Sequence, residues 1–306
     1  MKKTILSIIS VMISALAFAQ PPGFKMPEMP QPDFADLNYA GDDLEGHKLD
    51  IYLPKDGKDK HKLIVVIYGS AWFSNNFKNA AYMSLGKPLN DAGFAVATIN
   101  HRSSGDAKYP AQINDVKGAI RYLRANADKF GLDTSFVGIT GFSSGGHLSA
   151  MAGVTNGMKE RTVGTTTIDI EGNVGGNTDQ SSSVDAVVDW FGPVDMARME
   201  NCETVKGADS PEAALIGGAP ADNMEMIALI SPITYVSETT APTLVIHGTS
   251  DSVVPFCQSD NFSDELAKAG KLDRLIQVEG GEHGPVTFNA TTFKSMVDFF
   301  SEQAGK

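Results

Sequence analysis

Gly141-Phe142-Ser143-Ser144-Gly145 sets a serine between two glycines at the spacing Gly-x-Ser-x-Gly. The chemistry open to such a serine is attack of its hydroxyl oxygen on an acyl carbon. A serine hydroxyl alone is a poor nucleophile near neutral pH. It needs a base, and the base needs an acid that holds its tautomer. Both follow in the chain. Asp251 stands in Gly248-Thr249-Ser250-Asp251, just past the apolar run Thr243-Leu244-Val245-Ile246-His247. His283 stands in the loop Gly280-Gly281-Glu282-His283-Gly284. These residues read as a triad of Ser143 as nucleophile, His283 as base and Asp251 as orienting acid. Asp195, in Phe191-Gly192-Pro193-Val194-Asp195, follows the preceding strand and is a second candidate for the acid.

Acyl transfer passes through a tetrahedral oxyanion that needs backbone N–H donors. The N–H of Ser144, the residue after the nucleophile, is one. Ser70 or Ala71, in the loop Tyr68-Gly69-Ser70-Ala71-Trp72, is the other. Trp72 either lines an acyl pocket or packs in the core. Among six histidines, His47, His61 and His101 precede Ser143. His147 lies one turn past Ser143 and packs or hydrogen-bonds locally, while His247 ends a strand and helps to fix the Asp251 loop. No Gly-Lys-Ser/Thr follows the glycines, so a phosphate cradle fits poorly. No His-Glu-x-x-His or cysteine-rich pattern calls for a metal, and no organic cofactor is expected.

The elements that must hold these residues are legible as alternating apolar runs and helical periodicities. Phe136-Val137-Gly138-Ile139-Thr140 reads as a buried strand and His147 to Ala152 as a helix, so Ser143 falls on a sharp strand-to-helix turn. Further strands are expected at 47–53, 62–68, 94–100, 184–190 and 272–278, with helices at 79–92, 115–127 and 261–269. Strands alternating with helices, each strand a nearly continuous apolar run, imply a mostly parallel, buried sheet of the α/β class. Residues 160–182 and 196–232 break the rhythm as insertions. Loops at the C-terminal edge of such a sheet line its site.

Lys2 and Lys3, the apolar stretch Ile5 to Ala15 and Ala17-Phe18-Ala19 read as an export leader over residues 1–19. The apolar stretch is too short to span a bilayer, so no membrane anchor is expected. Residues 20–37 begin with a run of prolines and read as an N-terminal arm, leaving 38–306 as one domain. The formal net charge is −12, which argues against nucleic acid as a partner. An exported protein permits a disulfide between Cys202 and Cys257, the only two cysteines; two buried thiols are the alternative.

Taken together, these stretches resemble the bifunctional feruloyl and acetyl-xylan esterases, a family of α/β-hydrolases. The resemblance runs from about residue 38 to the C-terminus. It is carried by Leu49 to Pro54, Tyr109 to Lys117, Gly141 to Leu148, Glu171 to Gly176, Trp190 to Asp195, Ser210-Pro211-Glu212 and His247 to Pro255. It implies an α/β-hydrolase fold, with a mostly parallel central sheet and helices on both faces, and a triad on Ser143, Asp251 and His283. It further implies hydrolysis of acetyl or feruloyl esters on plant cell-wall polysaccharides, or of small esters. Tyr68-Gly69-Ser70-Ala71-Trp72 departs from the family's His-Gly-Gly-Gly/Ala-Trp. A formamidase or peptidase with the same triad, and a non-catalytic binding protein on the same fold, are the rival readings.

Overall fold

The computed structural model describes residues 30–306. The expected leader over 1–19, and the arm as far as residue 29, lie outside the described residues. Pro32–Lys306 forms one compact unit.

Among the described residues ten strands follow one another as β1 (Phe34–Asn38), β2 (Lys48–Tyr52), β3 (His61–Ile67), β4 (Ala95–Ile99), β5 (Leu132–Phe142), β6 (Glu160–Val163), β7 (Thr166–Asp169), β8 (Ala186–Trp190), β9 (Thr243–Gly248) and β10 (Leu272–Val278). Eight of them make the central sheet in the order β1-β2-β4-β3-β5-β8-β9-β10. From β4 to β10 every neighbouring pair is parallel, while β2 runs antiparallel to β4 and β1 antiparallel to β2. The expected α/β architecture is therefore present, with two antiparallel strands closing one edge.

The central strands carry apolar side chains on both faces because both faces are covered. On β3, Leu63, Val65 and Ile67 enter one core cluster. Ile64 and Val66 enter the other. The Ala111–Ala125 and Ser144–Val154 helices pack into the first cluster through Ile113, Val116, Leu148 and Met151. The C-terminal helix Ala290–Ala304 packs Met296, Phe299 and Phe300 into the second.

Three features depart from the sequence reading. Residues 34–37, expected to belong to the arm, start β1, because Phe34 and Leu37 pack against the core and Phe34 meets the Phe130 ring edge-on at 4.9 Å. The expected 79–92 helix is interrupted: a π turn over Tyr82–Gly86 joins Lys78–Ala81 to Lys87–Asp91. Pro88 supplies no N–H to the turn before it, which is where the helix widens. The 160–182 insertion contains a separate two-stranded hairpin of β6 and β7.

Candidate active site

Ser143 sits between the end of β5 and the Ser144–Val154 helix, with φ 56° and ψ −125°. This left-handed backbone is rare for a residue with a Cβ, and it turns the side chain out of the strand–helix junction. The flanking glycines permit the turn by close approach. A Cβ on Gly141 would lie 2.4 Å from the Gly145 carbonyl oxygen, and one on Gly145 would lie 2.3 Å from that of Ile67. The Ser143 N–H donates to the Trp190 carbonyl at 2.9 Å, which ties the turn to β8.

β9 and β10 deliver the other two residues from their C-terminal ends. The Ser143 hydroxyl donates to His283 Nε2 at 2.9 Å. His283 Nδ1–H donates to Asp251 Oδ2 at 2.7 Å. Ser143, His283 and Asp251, distant in the chain, thus stand in one hydrogen-bonded line. Asp195 stands apart: its Oδ2 faces Arg198 Nε at 3.8 Å, and its N–H donates to Gln258 Oε1.

Asp251 is held on every side. Oδ1 accepts the N–H groups of Val253 and Val254 at 2.8 and 2.9 Å. Oδ2 also receives His247 Nε2–H at 3.2 Å, and the same N–H reaches the Val254 carbonyl at 3.1 Å. Because that carbonyl only accepts, Nε2 carries the His247 proton and Nδ1 accepts from the Ser259 hydroxyl at 2.6 Å. Burial alone would raise the Asp251 pKa. The hydrogen bonds from His247 and His283, the His283 charge and the Val254 N–H outweigh it and hold the carboxyl well below its usual range.

The sequence leaves Ser70 and Ala71 as alternative donors in the loop 68–72, and the structure distinguishes them. The Ser70 N–H is directed at the Ser144 hydroxyl oxygen, 2.8 Å away. The Ala71 N–H makes no hydrogen bond among the described residues. Ser144 is the first residue of its helix, where an N–H has no intrahelical acceptor. Of the two loop residues expected to supply a donor, Ala71 is thus the one whose N–H has no partner among the described residues.

Trp72, expected either to line an acyl pocket or to pack in the core, packs in the core. It is 2% exposed, and its indole N–H donates to His147 Nδ1 at 3.2 Å. His147 is itself buried and donates through Nε2 to the Ile230 carbonyl at 2.8 Å; burial holds its pKa down at about 4.

Cys202 and Cys257 are joined, with their Cα atoms 6.1 Å apart. The bond ties the insertion after β8 to the helix that follows the Asp251 loop. Gln258, the next residue, is fully buried and bridges Val194, Asp195 and Arg198 through both ends of its amide. Neither the Ser144 hydroxyl nor the Gln258 bridge was signalled by a sequence motif. Among the described residues no group of three or more His, Cys, Asp or Glu side chains is arranged to hold a metal ion.

A largely parallel sheet with a serine elbow after its central strand, and an acid and a histidine on later strand ends, defines an α/β-hydrolase. Residues 49–266 match the BD-FAE family, and the chain belongs to it. Among solved structures it is similar to a bifunctional GH43-CE of Bacteroides eggerthii: 63% identity, TM-score 0.88, covering 89% of this chain and 35% of that one. A truncated carbohydrate esterase from gut microbiota shares 56% identity at TM-score 0.88, over 89% of this chain and 96% of the other. Esterase LipC of Mycobacterium tuberculosis is 32% identical over 246 residues, 80% of this chain and 58% of its own length. The chain thus spans only about half the length of the curated relatives it matches.

Proposed function

We propose that this chain is a serine carboxylesterase that removes acetyl or feruloyl groups from plant cell-wall polysaccharides. The observation that carries the reading is the Ser143–His283–Asp251 hydrogen-bonded line. Membership of the BD-FAE family and the likeness to carbohydrate esterases support the substrate class.

In this mechanism the Ser143 proton moves to His283 Nε2 as Oγ bonds to the ester carbonyl carbon. The former carbonyl oxygen takes the negative charge and accepts from the Ala71 and Ser144 N–H groups. Collapse breaks the bond to the alcohol oxygen, which leaves with the proton from His283. Water then gives a proton to His283 and attacks the acyl-enzyme. The second intermediate expels Ser143, which recovers its proton, and the carboxylic acid departs. Asp251 keeps the His283 Nδ1–H directed and offsets the imidazolium charge without itself taking the proton.

Export through the 1–19 leader belongs to the same proposal, and the Cys202–Cys257 bond supports an oxidising compartment. Intact mass of the secreted or periplasmic protein should show a start at Gln20.

The deciding experiment profiles, by mass, the acids released from acetylated xylan and feruloylated arabinoxylan by wild type and Ser143→Ala. Release by wild type should fall by a factor on the order of 10⁴ or more in the variant. A fluorophosphonate should label Ser143 and nothing else. Undiminished release by Ser143→Ala would overturn the proposal.

A further inference from the structure

Ser144 contributes more than its backbone N–H. The residue is 1% exposed, and its hydroxyl oxygen takes the Ser70 N–H at 2.8 Å. One turn further along the same helix, His147 takes the Trp72 indole N–H on Nδ1 at 3.2 Å. The His147 Nε2–H is committed to the Ile230 carbonyl, so Nδ1 is left as a bare acceptor. The residues on either side of Ala71 are therefore each tied to the helix that carries the nucleophile.

Ala71 lies between those ties in a conformation it would not adopt unaided. Its φ is 49° and that of Trp72 is 59°, in the left-handed region that glycine occupies freely and other residues do not. Such backbone persists only where its surroundings over-determine it. The loop also presses against the elbow: a Cβ on Gly69 would stand 2.7 Å from the Phe142 carbonyl oxygen and 2.8 Å from Ser143 Cβ. The loop has no glycine at positions 71 and 72, where the positive φ values fall, and Gly69 leaves it no room to shift toward the nucleophile.

We propose that the Ser144 hydroxyl and the His147 imidazole are positioning residues that latch the oxyanion loop, holding the Ala71 N–H where the transition-state oxygen forms. The inference rests on the esterase reading above. Its consequence is specific to the reaction. A donor placed for the oxyanion acts on the transition state far more than on the bound ester, so loosening it lowers kcat and leaves KM nearly unchanged. A residue holding the fold in general would instead lower thermal stability in step with activity. A Ser144 hydroxyl that merely competed for a useful Ser70 donor would slow the enzyme, and its removal would speed it up.

The test measures kcat, KM and melting temperature with p-nitrophenyl acetate for wild type, Ser144→Ala, Ser144→Thr, Trp72→Phe and the Ser144→Ala/Trp72→Phe pair. Removing one oxyanion donor outright costs about 10²–10³-fold. Loosening one should therefore cost roughly 10- to 100-fold in kcat for Ser144→Ala and for Trp72→Phe, with KM within about twofold. Thr, which keeps the hydroxyl, should restore most of the rate. The double variant should lose much less than the product of the single losses, because both ties hold one loop. A kcat for Ser144→Ala equal to or above wild type overturns the latch. So does a loss expressed in KM or matched by melting temperature, or a fully multiplicative double variant. Stoichiometric fluorophosphonate labelling of Ser143 in Ser144→Ala separates a loosened loop from a lost nucleophile. Absence of labelling in wild type would instead remove the esterase reading, and the latch with it.

Discussion

Asp251 Oδ2 receives two imidazole N–H groups and Oδ1 two backbone N–H groups. Every one of these donors favours the ionised carboxylate. The charge is thus in place before His283 becomes cationic, and no reorganisation is needed when the proton arrives. His247 supplies the second imidazole from the end of β9 and keeps its own proton on Nε2 through the Val254 carbonyl. Asp195, the other candidate acid, points at Arg198 and is engaged by Gln258. Asp251→Asn should therefore lower kcat by a factor on the order of 10⁴, as loss of the tautomer-setting carboxylate does. Asp195→Asn should leave the rate near that of wild type. Steady-state kinetics of the two variants decide the assignment, and the reverse ranking would move the acid to Asp195.

At the scale of elements, the site is a convergence of strand ends, and the disulfide and the Gln258 bridge tie the insertion after β8 to the helix that follows the Asp251 loop. The Cys202–Cys257 bond closes a span of 55 residues between the insertion and the helix behind Asp251. Denaturant unfolding of Cys202→Ser/Cys257→Ser should show a loss of about 2–5 kcal/mol, the range for a native disulfide, with a loop of this length toward the upper half. Wild type treated with reductant should match the double variant. An unchanged midpoint would mean that packing alone holds the insertion. Much of this layout was legible. β3, β4 and β9 are buried on both faces, so their sequences are nearly continuous apolar runs, and glycines mark the elbow because nothing larger fits there. What was not legible depends on partners far away in the chain. Five-residue β1 alternates weakly because one side of an edge strand is open, and its strand character comes from pairing with β2. Counting cysteines offered a bond but not its geometry. The Ser70–Ser144 tie joins residues 74 positions apart, and its donor is a backbone group that no side-chain pattern marks.

For the molecule as a whole, fully buried titratable side chains set opposing pH slopes on stability, with Asp189 on one side and His147, together with His101, on the other. Asp189, on β8, offers Oδ1 to the Gly192 N–H at 3.0 Å, while its Oδ2 has no partner among the described residues. Burial pushes its pKa up from 3.8 to about 7, against the weaker opposite pull of the Gly192 N–H. The folded chain therefore keeps a proton that the unfolded chain releases above 3.8. The stability this confers is complete in acid and is lost as pH rises to about 7, an effect of ~4 kcal/mol across the window. His147 acts in the other direction. Burial depresses its pKa from 6.5 to about 4, so its contribution is complete above 6.5 and is lost as pH falls toward 4. Over the shared interval the Asp189 slope opposes that of His147, and deleting Asp189 removes its side of the opposition. Asp189→Asn keeps the acceptor for Gly192 and abolishes the titration. Relative to wild type, its unfolding free energy should rise by roughly 3 kcal/mol between about pH 5 and about pH 8, because only wild type has to carry a buried carboxylate at the higher pH. Urea unfolding of both proteins at the two pH values reads this difference directly. Parallel pH profiles would show that Asp189 finds a solvated or paired state when ionised, and the opposition between Asp189 and His147 would then fail.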